Sequence, residues 1–308
     1  MSAVLKRCTA TATLNTGARI PLLGLGTWRS SKDNGYKAVL KAIEAGYRHI
    51  DSAAVCMNEQ VIGRAIRDSQ VPREELFVTT KLWSTQHRNP AGALEQSLQR
   101  LGLDYVDLFM MHWPLAFKTD RLKTKNVMII PMDADKKPDV DTEWDHVKTW
   151  ELMQQLPARG TTKAIGVSNC SIAHLQKILD SPENKIVPAT NQIEAHPFLP
   201  QDEMLNFCRG KGILMEGYSP LGSDGAPFID EPVIREIAKR YHVEPAQVLI
   251  NWGLKRGYAV LPKSKTPERI VSNLQQFELS NEDFNRIHEL AQERGPKRTH
   301  NPPWFSFD

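Results

Sequence analysis

The chain has little cysteine, and what it has is scattered: Cys8, Cys56, Cys170 and Cys208 in 308 residues, with no Cys-x-x-Cys pair. That spacing excludes the common zinc motifs and a dense disulfide framework, and no metal is expected. Reduced thiols in the cytosol are the expected state. No apolar run approaches the ~18 residues a membrane span requires. The opening segment, Met1 to Gly24, lacks the apolar core of a secretory signal. A cytoplasmic protein with no membrane partner is therefore expected. A charge excess is missing as well. The 39 basic and 36 acidic residues leave a net charge of +3, too small to draw the chain to nucleic acid. No linker or low-complexity tract interrupts residues 1–308, so one domain is expected. At 41% hydrophobic residues, it can bury a large core without staples.

One further absence concerns glycine. Gly24-Leu25-Gly26 is followed by Arg29 where the third glycine of a G-x-G-x-x-G fingerprint would stand. The doubly wound dinucleotide fold is thereby excluded.

What the chain does have is alternation. Short apolar runs at Leu22–Gly26, His49–Ser52, Phe77–Leu82, Val106–Met111, Ala164–Val167, Ala189–Ile193, Leu214–Tyr218 and Tyr258–Pro262 read as eight strands. Amphipathic stretches such as Gly35–Ala45, Glu59–Asp68, Ala91–Leu101, Lys148–Gln155 and Ser171–Leu179 fall between them. Strand-helix repetition implies parallel strands with helical crossovers. Eight such repeats predict an α/β fold, a closed (β/α)8 TIM barrel. Thr11–Ile20, with Asn15-Thr16-Gly17 at its centre, reads as an N-terminal β-hairpin over the barrel floor. Leu115–Asp145 and Arg294–Asp308 break the repeat and predict long loops at the C-terminal face, of the kind that set specificity.

Three strands end on an ionisable residue. Asp51 closes Tyr47-Arg48-His49-Ile50, Lys81 closes Phe77-Val78-Thr79-Thr80, and His112 follows Leu108-Phe109-Met110-Met111. The intervals, 51 to 81 and 81 to 112, each match about one barrel repeat. Any one of them has an ordinary explanation: a helix cap, a surface charge, a core histidine. Together they predict convergence on the mouth where barrel enzymes carry their chemistry. A carboxylate beside Lys81 would hold its ammonium oriented, and His112 could donate to a carbonyl oxygen. Trp28, Trp83 and Trp113 follow strands at the same mouth, and Trp304 lies in the C-terminal loop. They predict a hydrophobic substrate pocket.

With these residues in view, the chain resembles the aldo-keto reductase superfamily. The resemblance rests on Gly24-Leu25-Gly26-Thr27-Trp28, Gly46-Tyr47-Arg48-His49-Ile50-Asp51, Thr80-Lys81-Leu82-Trp83 and His112-Trp113-Pro114. It continues through Ile165-Gly166-Val167-Ser168-Asn169, Asn191-Gln192-Ile193-Glu194, Tyr218-Ser219-Pro220-Leu221-Gly222 and Leu261-Pro262-Lys263-Ser264. Thr149-Trp150-Glu151-Leu152-Met153 and Val71-Pro72-Arg73-Glu74-Glu75 look most like the fungal aldehyde reductase and glycerol 2-dehydrogenase branch.

The resemblance implies NADPH as cofactor and an aldehyde or ketone as substrate, in a monomer. It implies that Ser168, Asn169 and Gln192 bind the nicotinamide carboxamide and Tyr218 stacks on the ring. Ser219, Pro220, Leu221 and Gly222 would wrap the pyrophosphate. Lys263, Ser264 and Arg269 would hold the 2′-phosphate, and Asn273 the adenine. Thr27 and Asp51 join this set. An arginine suits a bidentate phosphate contact and a lysine a point-charge contact.

One position departs from the family. Its pattern places a tyrosine, the proton donor, five residues after the aspartate. Here Asp51-Ser52-Ala53-Ala54-Val55-Cys56-Met57-Asn58-Glu59 puts Cys56 there. Carbonyl reduction needs a hydride and a proton. A thiol beside an ammonium is expected to shift toward thiolate and become a poor acid. Cysteine is also shorter than tyrosine, which leaves His112 or a water to supply the proton. Impaired turnover with cofactor binding retained is expected. Two other readings stand beside it: a non-catalytic NADPH-binding or regulatory protein, and a barrel lyase using Lys81 as a Schiff base.

Overall fold

A computed structural model of the chain describes residues 3–307 apart from 121, 123 and 125. Short N-terminal strands β1 (Lys6–Arg7), β2 (Thr11–Thr13) and β3 (Arg19–Pro21) precede eight consecutive parallel strands. These are β4 (Leu25–Gly26), β5 (His49–Asp51), β6 (Phe77–Leu82), β7 (Val106–Met111), β8 (Thr162–Ser168), β9 (Thr190–Glu194), β10 (Leu214–Tyr218) and β11 (Ala259–Leu261). Each pairs with its sequence neighbour. The ring closes where Leu23 bridges Val260 in parallel. The Gly24 amide donates to the Val260 carbonyl at 3.0 Å, and the Val260 amide donates to the Leu22 carbonyl at 2.7 Å. The expected (β/α)8 barrel is present, with β4 shorter and β8 longer than the sequence pattern indicates.

The strand residues explain this arrangement. All six positions of β6 and of β7 are buried, as expected for strands covered on both faces. The crossover helices include α1 (Lys32–Ala45), α2 (Glu59–Asp68), α3 (Pro90–Leu101), α4 (His146–Met153), α5 (Ile172–Asp180) and α6 (Asp202–Gly210). Helices α7 (Pro232–Tyr241) and α8 (Pro245–Lys255) both follow β10, and α9 (Pro267–Asn273) follows β11. Local chemistry sets their starts. Asn89 accepts from the Gly92 amide at 3.0 Å with Pro90 in the first turn. Ser171 and His174 form a reciprocal capping box at α5.

The β2–β3 hairpin plugs the barrel floor. Its Leu14 and Ile20 pack against Phe77, Leu108, Met110, Ala164 and Ala189. At the opposite face the described residues of the 115–145 segment are pinned by bridges between Phe117 and Val140 and between Met132 and Pro138. No helix among the described residues is long and apolar enough to cross a membrane.

Candidate active site

The three strand-end residues meet as the sequence implied. Lys81 Nζ donates to Asp51 Oδ1 at 2.6 Å and to the Ser52 carbonyl at 2.9 Å. Gln192 Nε2 donates to the same Asp51 oxygen at 2.9 Å. Lys81 is 3% exposed, so the pair is shielded from screening and each charge needs the other. His112 lines the same cavity, of about 430 Å³. Burial, the Lys81 charge and His300 push its pKa well below the ordinary histidine value. His112 is therefore a neutral imidazole at physiological pH, able to hydrogen-bond a carbonyl without adding a charge.

Cys56 lines this cavity too, at the end of a short 3-10 turn, Ala54–Cys56, that follows β5. Here the structure corrects the sequence expectation. Burial pushes the Cys56 pKa up to about 11, and the pull of Lys81 in the other direction is the smaller effect. The residue is a neutral thiol, not a thiolate. The desolvation cost of a charged sulfur exceeds the attraction of an ammonium already paired with Asp51. The conclusion that it is a poor acid at neutral pH stands, for the opposite reason.

Beside these residues lies a polar set. Ser168 Oγ donates to the Gln192 carbonyl at 2.8 Å, Asn169 Nδ2 to the His112 carbonyl at 2.9 Å, and Tyr218 OH to Asn169 Oδ1 at 2.8 Å. Thr27 Oγ1 donates to the Asp51 carbonyl at 2.8 Å. Asn169 sits at φ 59°, and Ser219, Ser223 and Ala226 at 53°, 65° and 51°. Left-handed non-glycine residues store strain and tend to gather at ligand sites. Gly222, at φ 92°, is required here: a Cβ would lie 2.8 Å from the Phe228 ring.

At the third edge, Lys263, Ser264 and Arg269 line the cavity as expected. Ser219, Pro220 and Leu221 line it as well, as do Trp28 and Trp113. Four expected residues stand outside the lining. Gly222 shapes the turn without facing the space. Asn273 is buried in the last turn of α9. Trp83 and Trp304 form a layer behind Trp113. The Trp304 ring centroid is 4.7 Å from that of Trp113 and 6.2 Å from that of Trp83. Trp83 Nε1 donates to the Ile129 carbonyl at 3.3 Å.

Other lining residues had no sequence signal. Lys265 extends the cationic edge, with Thr266 beside it. Asp224 is ion-paired with Arg29 across the mouth. His300 reaches in from the irregular tail, its ring 5.5 Å from Trp28 and 5.7 Å from Trp113.

The tail is fixed by Glu194 at the end of β9. Its carboxylate accepts from the Thr299 amide at 2.6 Å, Thr299 Oγ1 at 2.7 Å and the His300 amide at 2.9 Å. Burial pushes its pKa up, but hydrogen bonds from His196 and Thr299 pull harder and hold it below the usual carboxylate range. Glu194→Gln turns one acceptor into a donor facing these donors. A loss of about 2 kcal/mol is expected in urea unfolding, along with faster proteolysis after Arg294. Unchanged values for both would show that the latch does not hold the tail.

A sequence model of the aldo/keto reductase family matches residues 22–227 and 230–292. The chain belongs to the aldo/keto reductase family. It is 57% identical to aldehyde reductase YPR1 of Saccharomyces cerevisiae over 308 residues, covering 100% of this chain and 99% of the relative. It is 55% identical to glycerol 2-dehydrogenase (NADP(+)) of the same yeast, with the same coverage. Among solved structures, the aldose reductase of Schistosoma japonicum superposes with a TM-score of 0.86 at 35% identity, covering 95% of this chain and 94% of that one. For an aldo/keto reductase of this likeness, the barrel and its mouth are the expected frame.

Proposed function

We propose that this aldo/keto reductase is an NADPH-dependent carbonyl reductase whose turnover is limited by Cys56. The observation that carries the reading is one cavity lined by Asp51, Lys81 and His112, by the amides of Asn169 and Gln192, and by a cationic edge of Lys263, Lys265 and Arg269. This donor set fits a dinucleotide with an extra phosphate. Ser168, Asn169 and Gln192 would hold the carboxamide end, Tyr218 would back the ring, Ser219, Pro220 and Leu221 with the Gly222 turn would meet the pyrophosphate, and Arg269 would take the 2′-phosphate. When bound, NADPH supplies the hydride.

The chain's own residues do the rest. Asp51, itself held by Gln192, and the Ser52 carbonyl fix the Lys81 ammonium. Two of its three N–H groups are taken by Asp51 and Ser52, and the third is available to stabilise charge developing on the carbonyl oxygen. His112, neutral, orients that carbonyl. Trp28 and Trp113 present an apolar wall to an aldehyde or ketone. Cys56 stands in the proton donor's position with a thiol whose pKa, at about 11, lies far from the operating pH. The engagement of Lys81 in its ion pair argues against a Schiff-base lyase, which needs a free amine. The neutral thiol also supports a second reading, an NADPH-binding protein without turnover, in which no substitution at 56 produces reduction. We further take the chain to act as one domain, as a monomer, in the cytosol. Its four cysteines are all free thiols.

Arg269→Ala tests the cofactor assignment. Loss of a charge-assisted phosphate contact is expected to weaken NADPH binding roughly 10- to 100-fold and leave NADH binding unchanged. Equal weakening of both would remove the 2′-phosphate assignment.

A further inference from the structure

Branched apolar side chains usually fill the interior of a parallel barrel. The layer directly beneath the Asp51–Lys81 pair is different. Residues two apart on a strand share a face. His49 therefore lies below Asp51, Thr79 below Lys81, Thr190 below Gln192, and Glu216 below Tyr218. All four are fully buried. Glu216 is in register with Gln192, the side chain that contacts Asp51.

Two buried titratable groups in this layer have no part in the chemistry above. His49 Nδ1 lies 3.1 Å from the Pro21 carbonyl. Only a protonated Nδ1 can make that contact, so the neutral ring turns a bare Nε2 toward Glu216. The Nε2–Oε2 distance is 3.9 Å. Neither Glu216 carboxyl oxygen makes a well-formed hydrogen bond among the described residues, although the side chains of Thr190 and Gln192 come close enough to favour its ionised form. The His49 ring is built into the fold, because a Cβ on Gly24 would fall 2.7 Å from its Nδ1. Burial and the charge of Asp51 push the Glu216 pKa up to about 7, with Lys81 pulling it down. Burial lowers that of His49. The charged groups that reach the pair are Asp51 on β5, Lys81 on β6 and Asp107 on β7. From β9, Thr190 and Gln192 are polar and uncharged, and Glu194 is tied to the tail. Strands β4 and β11 contribute no ionisable residue.

We propose that the Glu216–His49 pair is a positioning element that holds or releases one proton beneath the cofactor site and so biases it between reduced and oxidised nicotinamide. This rests on the reductase reading above. The oxidised ring carries a positive charge and the reduced ring is neutral. An ionised Glu216 attracts the first and is indifferent to the second. By linkage, oxidised cofactor expels the proton and reduced cofactor retains it. Cys56, with its pKa near 11, and His112, held well below the ordinary histidine value, keep their protonation states across this range, and burial moves the His300 pKa downward, away from it. The cofactor phosphates titrate alike in both forms and cancel in a ratio.

The test uses the full chain, with Trp28 and Trp113 fluorescence reporting the dissociation constants of NADPH and NADP⁺ between about pH 6 and about pH 8.5. The preference for NADP⁺ over NADPH is expected to rise roughly tenfold with pH, the order expected for one buried unit charge nearby. In Glu216→Gln the ratio is expected to stay flat. A flat ratio in the native chain, or an unchanged slope in Glu216→Gln, overturns the proposal. A second measurement needs no variant. In weak buffer near pH 7 with an indicator dye, NADP⁺ is expected to release a fraction of a proton more than NADPH does, the phosphate contribution being common to both. Equal release overturns the proposal. Failure of both nucleotides to bind would overturn the reductase reading with it, whereas binding without pH-dependent discrimination leaves that reading intact.

Discussion

Cys56→Tyr is expected to raise kcat for NADPH-dependent aldehyde reduction by about 10²- to 10³-fold, within the range that a positioned general acid contributes. A phenol at this place faces the cavity beside Lys81, where the ammonium favours its ionised form and brings its acidity closer to the working pH. The thiol at this place sits near 11, and its side chain is several ångström shorter than a tyrosine's, so it stops short of where a phenol oxygen would meet the carbonyl. NADPH affinity is expected to stay within about twofold, since Ser168, Gln192, Lys263 and Arg269 are untouched. The gain belongs to the chemical step, so it appears in kcat and kcat/KM together. It is measured by the decay of nicotinamide absorbance with a small aldehyde at saturating cofactor.

The second large effect belongs to Lys81. Lys81→Met keeps the length of the side chain and removes the charge. Asp51 is then left buried, with Gln192 as its remaining side-chain donor. Breaking one side of a buried pair costs about 3 kcal/mol or more. Urea unfolding is expected to show that loss. In the Cys56→Tyr background the same change is expected to erase most of the gained turnover, because the phenol loses the cation that tunes it. The two substitutions are thus strongly non-additive, and a double-mutant cycle on kcat measures their coupling. Independent effects would mean that the residue at 56 and Lys81 do not act as a unit.

The barrel was legible because eight apolar runs alternate with amphipathic stretches and three of them are closed by Asp51, Lys81 and His112. Charge after an apolar run is a local signal, and the strand register carries it to the mouth. That Lys263, Ser264 and Arg269 line the same cavity was implied by the family resemblance rather than by a local signal of this kind. Other features depend on packing between distant segments. The state of Cys56 follows from how closely the barrel mouth encloses the 3-10 turn, and neighbouring residues carry no trace of that. His300 enters the site from a segment with no periodicity, positioned by Glu194 from more than a hundred positions earlier. Glu216 reads in sequence as one acid within Leu214–Tyr218, and only closure of the barrel places it against His49. Trp83 follows the strand-end pattern of pocket residues and Trp304 comes from the C-terminal loop, yet the cluster around Trp113 draws both one layer back.

The most direct measurement is a paired titration and single turnover. The native chain and Cys56→Tyr are each titrated with NADPH by fluorescence, then mixed with excess aldehyde while nicotinamide absorbance is followed. The expected result is matched NADPH affinity in the two forms, with oxidation in Cys56→Tyr at least about 10²-fold faster. Matched affinity with equal oxidation rates would contradict the claim that the residue at position 56 limits this reductase.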